Sequence, residues 1–228
     1  MNDKGFKKMG WDKGFTLVEL LVAMAIVGVV MAGVYSAYSS QQRSYIVQEQ
    51  VAGMQQSLRA AMDLIEREIR MAGYDPYRNS GAGIIAAGVN NISFTFVADD
   101  DLYDNDGDGD TDESGELKTI RYSLYDSGSD GDNDLGRRVG AGTNKPVAEN
   151  IDALNFVYLR EDGTPTADVS EMRSIQITVV ARSDRVDPRY TDTAVYTNQQ
   201  GDQVFIAPGD NFRRRLLTSQ VNCRNLTF

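Results

Sequence analysis

Lys13-Gly14-Phe15-Thr16-Leu17-Val18-Glu19-Leu20-Leu21-Val22 decides how the rest of the chain is read. A short basic leader ends at Gly14, and a nearly unbroken apolar run extends from Phe15 to about Val34, broken early by one carboxylate, Glu19. About 20 apolar residues in a helix just suffice to cross a bilayer core of roughly 30 Å. A carboxylate inside such a segment costs about 2.5–3.5 kcal/mol at the helix centre and marks a functional position by default. The four lysines before the run predict a cytoplasmic N-terminus by the positive-inside rule. No small-residue cleavage site follows the run, so the helix is expected to be retained.

Working outward, Gly28 and Gly33 lie inside the apolar run, where glycines allow close helix packing in membranes. From Tyr45 the pattern becomes amphipathic. Val51, Met54, Leu58, Met62, Ile65 and Ile69 recur at spacings of three and four, with Gln55, Gln56, Arg59, Asp63, Glu66, Arg67 and Arg70 elsewhere on the cylinder. That is one apolar stripe, of the kind that packs on a sheet. Gly73 and Asp75-Pro76 end the helix. Beyond it, Ile92–Val97, Leu117–Tyr125, Ile151–Leu159 and Ser174–Ala181 place apolar residues at alternate positions, and Phe212–Phe228 reads as extended in part. These runs predict antiparallel strands with one face on a core. Residues 81–88, 160–170 and 183–210 read as loops, the last long enough to be functional or mobile.

The expected fold is therefore α+β: one long N-terminal helix packed on an antiparallel β-sheet head. Residues 1–14 form a leader and 15–72 the helix, with 15–35 membrane-spanning and 36–72 amphipathic. Residues 73–228 form the β-rich head, with acidic loops at 99–116 and 126–134.

Composition narrows the chemistry. The 228 residues contain no histidine and a single cysteine, Cys223. Histidine-based acid–base catalysis, His/Cys zinc sites and an intramolecular disulfide are excluded. No activated nucleophile can be placed, so an enzyme is not expected. The net charge is −10, and loss of residues 1–14 would remove four lysines but only two aspartates. This balance disfavours nonspecific binding to nucleic acid.

Asp104-Asn105-Asp106-Gly107-Asp108-Gly109-Asp110-Thr111-Asp112 carries the most local chemistry. Ca²⁺ takes six to eight hard oxygen ligands at 2.3–2.6 Å, and Asp-x-Asp-x-Asp-Gly supplies them around a sharp turn. Asp104, Asp106 and Asp108 fall at loop positions 1, 3 and 5, Asp110 at the carbonyl position and Asp112 at position 9. Position 12, which needs a bidentate glutamate, is Gly115, and Glu116 comes one residue late. The expectation is a Ca²⁺ loop of non-EF-hand type, against the alternative of a solvated acidic block. Asp126–Asp134 is a weaker second loop.

Gly-Phe-Thr-Leu-Val-Glu-Leu-Leu-Val-Ala, residues 14–23, resembles the class III signal sequence of type IV prepilins and type II secretion pseudopilins. The resemblance implies a pilin fold and cleavage by prepilin peptidase between Gly14 and Phe15, with methylation of Phe15. It implies an inner-membrane subunit with a periplasmic head that later joins a pilus or pseudopilus. There Glu19 would meet the Phe15 amine of a neighbour. Ala72-Gly73-Tyr74-Asp75-Pro76, Asn150–Phe156 and Arg213–Val221 are similar to PilW-type minor pilins, which are related to J-type minor pseudopilins. The implied role is a minor pilin that primes a pilus with other minor and major pilins, the alternative being a J-type pseudopilin of type II secretion. Many major pilins close a C-terminal loop with a disulfide, which one cysteine cannot do.

Overall fold

The computed structural model describes residues 14–76, 78, 80–98 and 117–226. The chain divides into two compact units, residues 1–47 and 48–228. The described part of the first unit is helical from Leu17, and every residue from Gly14 to Tyr38 is exposed. The helix α1 spans Leu17–Met71 and is long and apolar enough in its first part to cross a membrane. Helix residues from Gln48 onward belong to the second unit.

In that second unit Leu58, Ala61, Met62, Ile65 and Ile69 are buried, and Met54 packs against the same core. The three-and-four spacing puts these side chains on one face, so a single stripe seals the sheet while the charged residues stay wet. The helix stops where Gly73 adopts a left-handed conformation, φ +77°. Its N–H donates to Thr95 O at 2.9 Å, and a Cβ there would lie 2.7 Å from Leu226 Cδ2. Backbone geometry and crowding both call for glycine at this stop.

Ten strands follow among the described residues, all paired antiparallel: β1 Ile84–Ala87, β2 Asn91–Val97, β3 Leu117–Tyr125, β4 Asp134–Val139, β5 Lys145–Ala148, β6 Ile151–Leu159, β7 Ser174–Arg182, β8 Val195–Thr197, β9 Gln203–Ile206 and β10 Arg214–Asn222. They form a five-stranded sheet in the order β1-β2-β3-β4-β5, a three-stranded sheet β10-β7-β6 and the two-stranded ribbon β8-β9. The first two sheets and the helix stripe share one core, in which Phe94, Ile120, Tyr122, Phe156, Ile175 and Ile177 are buried.

Three expectations need correction. Residues 81–88 are not all loop, because β1 pairs with β2 there; its four residues are too short to show an alternating pattern. Residues 183–210 are not a free loop: they hold β8 and β9, and the structure anchors them at several points. Strands β4 and β5 were not anticipated, since Asp134-Leu-Gly-Arg-Arg-Val and Lys-Pro-Val-Ala lack apolar alternation. Central strand β7 is buried from Ser174 through Ala181 on both faces, so its alternation carries less meaning than its continuous apolarity.

Candidate assembly site

The helix start is built by two residues. Thr16 precedes the first helical residue, and its N–H and hydroxyl donate to Glu19 Oε2 at 2.9 and 2.8 Å. In return Glu19 N–H donates to Thr16 Oγ1 at 3.2 Å. This reciprocal pair is a capping box, which satisfies N–H groups that the first helical turn leaves without partners. The signature Thr-x-x-Glu before an apolar run is a local sequence signal for this cap. Among the described residues Glu19 thus has a partner within its own chain, Thr16. Only Oε2 takes part in these bonds, and an ionised carboxylate has acceptor capacity on both oxygens. Phe15 is exposed beside this cap, and Gly14 opens the described chain.

Around the head-side part of α1, polar contacts fix the helix to the strands. Glu68 accepts from Tyr122 Oη and, at 3.0 and 2.9 Å, from Arg137 Nε, with Arg137 Nη2 at 2.5 Å. Burial and the adjacent carboxylate hold the Tyr122 phenol well above its ordinary range. On the opposite flank Ser219 Oγ donates to Glu66 Oε1 at 2.6 Å, and Asn225 Nδ2 donates to Arg70 O at 2.8 Å. Two carboxylates two residues apart, on opposite sides of one helical turn, thus tie one helix to both sheets.

The segment 183–213 is held by a buried guanidinium. The Arg214 side chain is 1 % exposed and donates to Asp152 at 2.6 Å, to Asp192 at 3.2 Å and to both oxygens of Asp210 at 2.6 and 2.7 Å. Tyr196 Oη donates to Asp192 at 2.9 Å, and the Phe205 ring lies 5.1 Å from the Arg214 guanidinium. Arg182 approaches Asp152 at 3.8 Å and pairs with Asp132. Burial pushes the Asp152 carboxyl up, whereas the Arg214 bonds pull Asp210 down. Arg214 was quoted above for its resemblance alone; Asp210 lies four residues before it, but the convergence of Asp152 and Asp192 from 62 and 22 residues away has no local sequence signal.

The proposed Ca²⁺ ligands Asp104, Asp106, Asp108, Asp110, Asp112 and Glu116 lie outside the described residues. The second acidic loop is described. Its carboxylates serve the β3–β4 turn: Asp126 accepts from Asp130 N and Gly131 N at 3.2 Å, and Asp134 from Ser127 and from Asn150 N. Among the described residues no group of three or more His, Cys, Asp or Glu side chains is placed to hold a metal ion. Cys223 is buried in the common core, and burial pushes its thiol up to about 12. It acts there as a small apolar side chain rather than a nucleophile.

Comparison with known proteins joins the two ends of this description. Residues 12–35 match the family model of the prokaryotic N-terminal methylation motif, the stretch that contains Gly14, Phe15 and Glu19. A type IV-like pilin from Thermus thermophilus superposes with a TM-score of 0.52, covering 76 % of this chain and 97 % of its own. The fold is a type IV pilin fold. Sequence identity with that pilin is 17 %, so the likeness concerns architecture alone. No curated protein sequence matches the chain. The described residues combine a methylation motif, an exposed apolar stretch over Gly14–Tyr38 and a head built on one hydrophobic core.

Proposed function

We propose that this chain is a minor type IV pilin, a structural subunit that is cut between Gly14 and Phe15 by a prepilin peptidase, methylated at Phe15 and then drawn into a pilus. The observation that carries this reading is the capped but incompletely used carboxylate at the head of an uncovered apolar helix. In the membrane the apolar residues are solvated by lipid, and Thr16 supports Glu19. In a bundle of subunits the same residues pack on sister helices, and Glu19 Oε1 is free to accept from a neighbour's Phe15 amine. Removing one partner of a buried ion pair is strongly destabilising, so the pair sets the register of incoming subunits. The head faces the periplasm, and no catalytic step belongs to it.

Glu19→Gln tests this reading, because glutamine also serves a capping box but carries no charge. The variant should be cleaved and methylated like the wild type and fail to enter the pilus, as Glu19→Ala should. Incorporation of Glu19→Gln at the wild-type level would reduce Glu19 to a helix cap. Mass measurement of the N-terminus, with and without the peptidase, checks the processing step; a product that does not begin at methylated Phe15 removes it.

The acidic stretch 104–116 we propose as a Ca²⁺ loop, supported by its Asp-x-Asp-x-Asp-Gly spacing. Calorimetry with Ca²⁺ on the purified chain should give heat and a raised unfolding temperature, both lost in Asp106→Asn. Absence of either in the wild type rejects the loop.

A further inference from the structure

Among the described residues four strands border the two main sheets, and three of these borders are blunted. Strand β1 has four residues with a register shift, and β5 has four residues, a register shift and Pro146. On β6, Phe156 N–H donates to Val89 O at 2.7 Å and Tyr158 O accepts from Thr166 N at 2.9 Å. Such short, bulged, proline-bearing or covered edges keep sheets from recruiting other chains.

Strand β10 has none of these features. It runs nine residues, Arg214–Asn222, in unbroken register with β7 and without proline. The phase of its hydrogen bonds follows from both ends. Ser183 N–H donates to Arg213 O at 2.8 Å, and Cys223 N–H donates to Arg173 O at 2.9 Å. Residues exchanging such bonds alternate along an antiparallel pair. Arg213, Leu217, Ser219, Val221 and their odd-numbered neighbours therefore turn their main-chain groups toward β7. The N–H and C=O groups of Arg214, Leu216, Thr218, Gln220 and Asn222 turn outward, and none has a main-chain partner among the described residues. Arg215, Leu216, Gln220 and Asn222 are exposed along the same border.

We propose that β10 is an assembly edge, completed by an extended strand from a different neighbouring subunit that carries carboxylate side chains. Charge favours this occupant. Arg213 is paired with Asp187, and Arg214 with three aspartates, but exposed Arg215 has no ion pair among the described residues, and β10 carries no acid. A strand laid along the edge would receive up to ten main-chain hydrogen bonds' worth of donors and acceptors, five of each, with Arg215 beside it. A second copy pairing through its own β10 is disfavoured. The two-fold axis of that pairing would set the two head-side α1 stretches antiparallel, unlike subunits arriving from one membrane.

This inference rests on the assembly reading above, and four substitutions in the full chain test it, the fourth being Thr218→Cys. Thr218→Pro removes an outward N–H that β7 does not use, Thr218→Val keeps that N–H, and Arg215→Glu reverses the charge. Thr218→Pro should unfold at nearly the wild-type temperature in detergent yet be recovered from assembled filaments at least about tenfold less. Thr218→Val should assemble normally, and Arg215→Glu should assemble poorly. Amide exchange on the wild type gives a readout without substitution. Leu216, Thr218, Gln220 and Asn222 should exchange at least about tenfold more slowly in the assembly than in the free chain. Unchanged exchange at these four amides, or full incorporation of Thr218→Pro, overturns the edge. Equal loss with Thr218→Val overturns the main-chain mechanism, and full incorporation of Arg215→Glu overturns the acidic partner. A disulfide-linked homodimer of Thr218→Cys would replace the foreign strand by a second copy. Wild type absent from filaments would overturn this inference together with the pilin reading, whereas wild type present with an unprotected edge overturns this one alone.

Discussion

One helix carries two apolar regions that solve different problems. From Leu17 to Val34 apolar side chains cover the whole cylinder, and every residue is exposed. From Leu58 to Ile69 they form one stripe, with Ile65 and Ile69 at 0 % exposure. A helix apolar on all sides needs lipid or sister helices as its surroundings, whereas a stripe needs only one sheet. The first region is exposed among the described residues, whereas the second is covered inside the head. The one carboxylate of the first, Glu19, is capped by Thr16; the carboxylates flanking the second, Glu66 and Glu68, are bonded to strands.

The comparison can be broken most decisively at Glu19. Glu19→Gln should abolish incorporation while leaving head stability unchanged, measured by filament recovery beside chemical unfolding. A loss of head stability would show that the two regions are not independent. On the head side, Arg214→Met should cost about 3–5 kcal/mol, because it leaves the buried Asp192 and its companion carboxylates uncompensated. Limited proteolysis should then cut within residues 184–210 before the rest of the head. Ile65→Ala should cost about 2–5 kcal/mol from a cavity in the common core. Val27→Ala, at an exposed apolar position, should leave the unfolding free energy in detergent within about 0.5 kcal/mol. Gly73→Ala should lower stability by about 1–2 kcal/mol, since alanine is strained at positive φ and its methyl would press on Leu226.

Between pH 7 and 5 little effect is expected from pH. Asp187 and Asp210 are held below their ordinary values chiefly by hydrogen bonds from Arg213 and Arg214. The stabilisation they contribute is complete above the unfolded carboxylate value of about 3.9 and is lost as pH falls through the lowered folded values. Asp152 works in the opposite sense: burial raises its value, so the folded chain takes up that proton first and offsets part of the loss. Denaturant midpoints should therefore change little from pH 7 to 5 and fall below about pH 4. A steep fall already above pH 5 would contradict these directions.

Much of the architecture was readable from local pattern. Strands β3 and β6 begin and end where alternation places them, and the Leu58–Ile69 stripe is buried as its spacing requires. Such patterns survive because each residue's face depends only on its own strand or helix turn. Strands β4, β5, β8 and β9 escaped this reading. Side chains on or beside them are held by partners far along the chain, as when Arg137 of β4 reaches Glu68, Asn198 after β8 reaches Asn155 and Asp192 reaches Arg214. The apparent loop at 183–210 is ordered by those contacts rather than by its own propensity.

At the candidate assembly site the division is similar. Gly14, Phe15 and Glu19 stand in a local motif, and the Thr16–Glu19 capping box is equally local. The amino-acid order alone determined a membrane-length helix, its stop at Gly73 and a β-rich head, since periodicity and turn chemistry act over a few residues. Tertiary structure alone decided which carboxylates are bonded, which border strand is open and where a lone buried arginine gathers three aspartates. Hydrogen bonds and ion pairs are short-ranged, and only folding brings groups from distant parts of the chain within their reach.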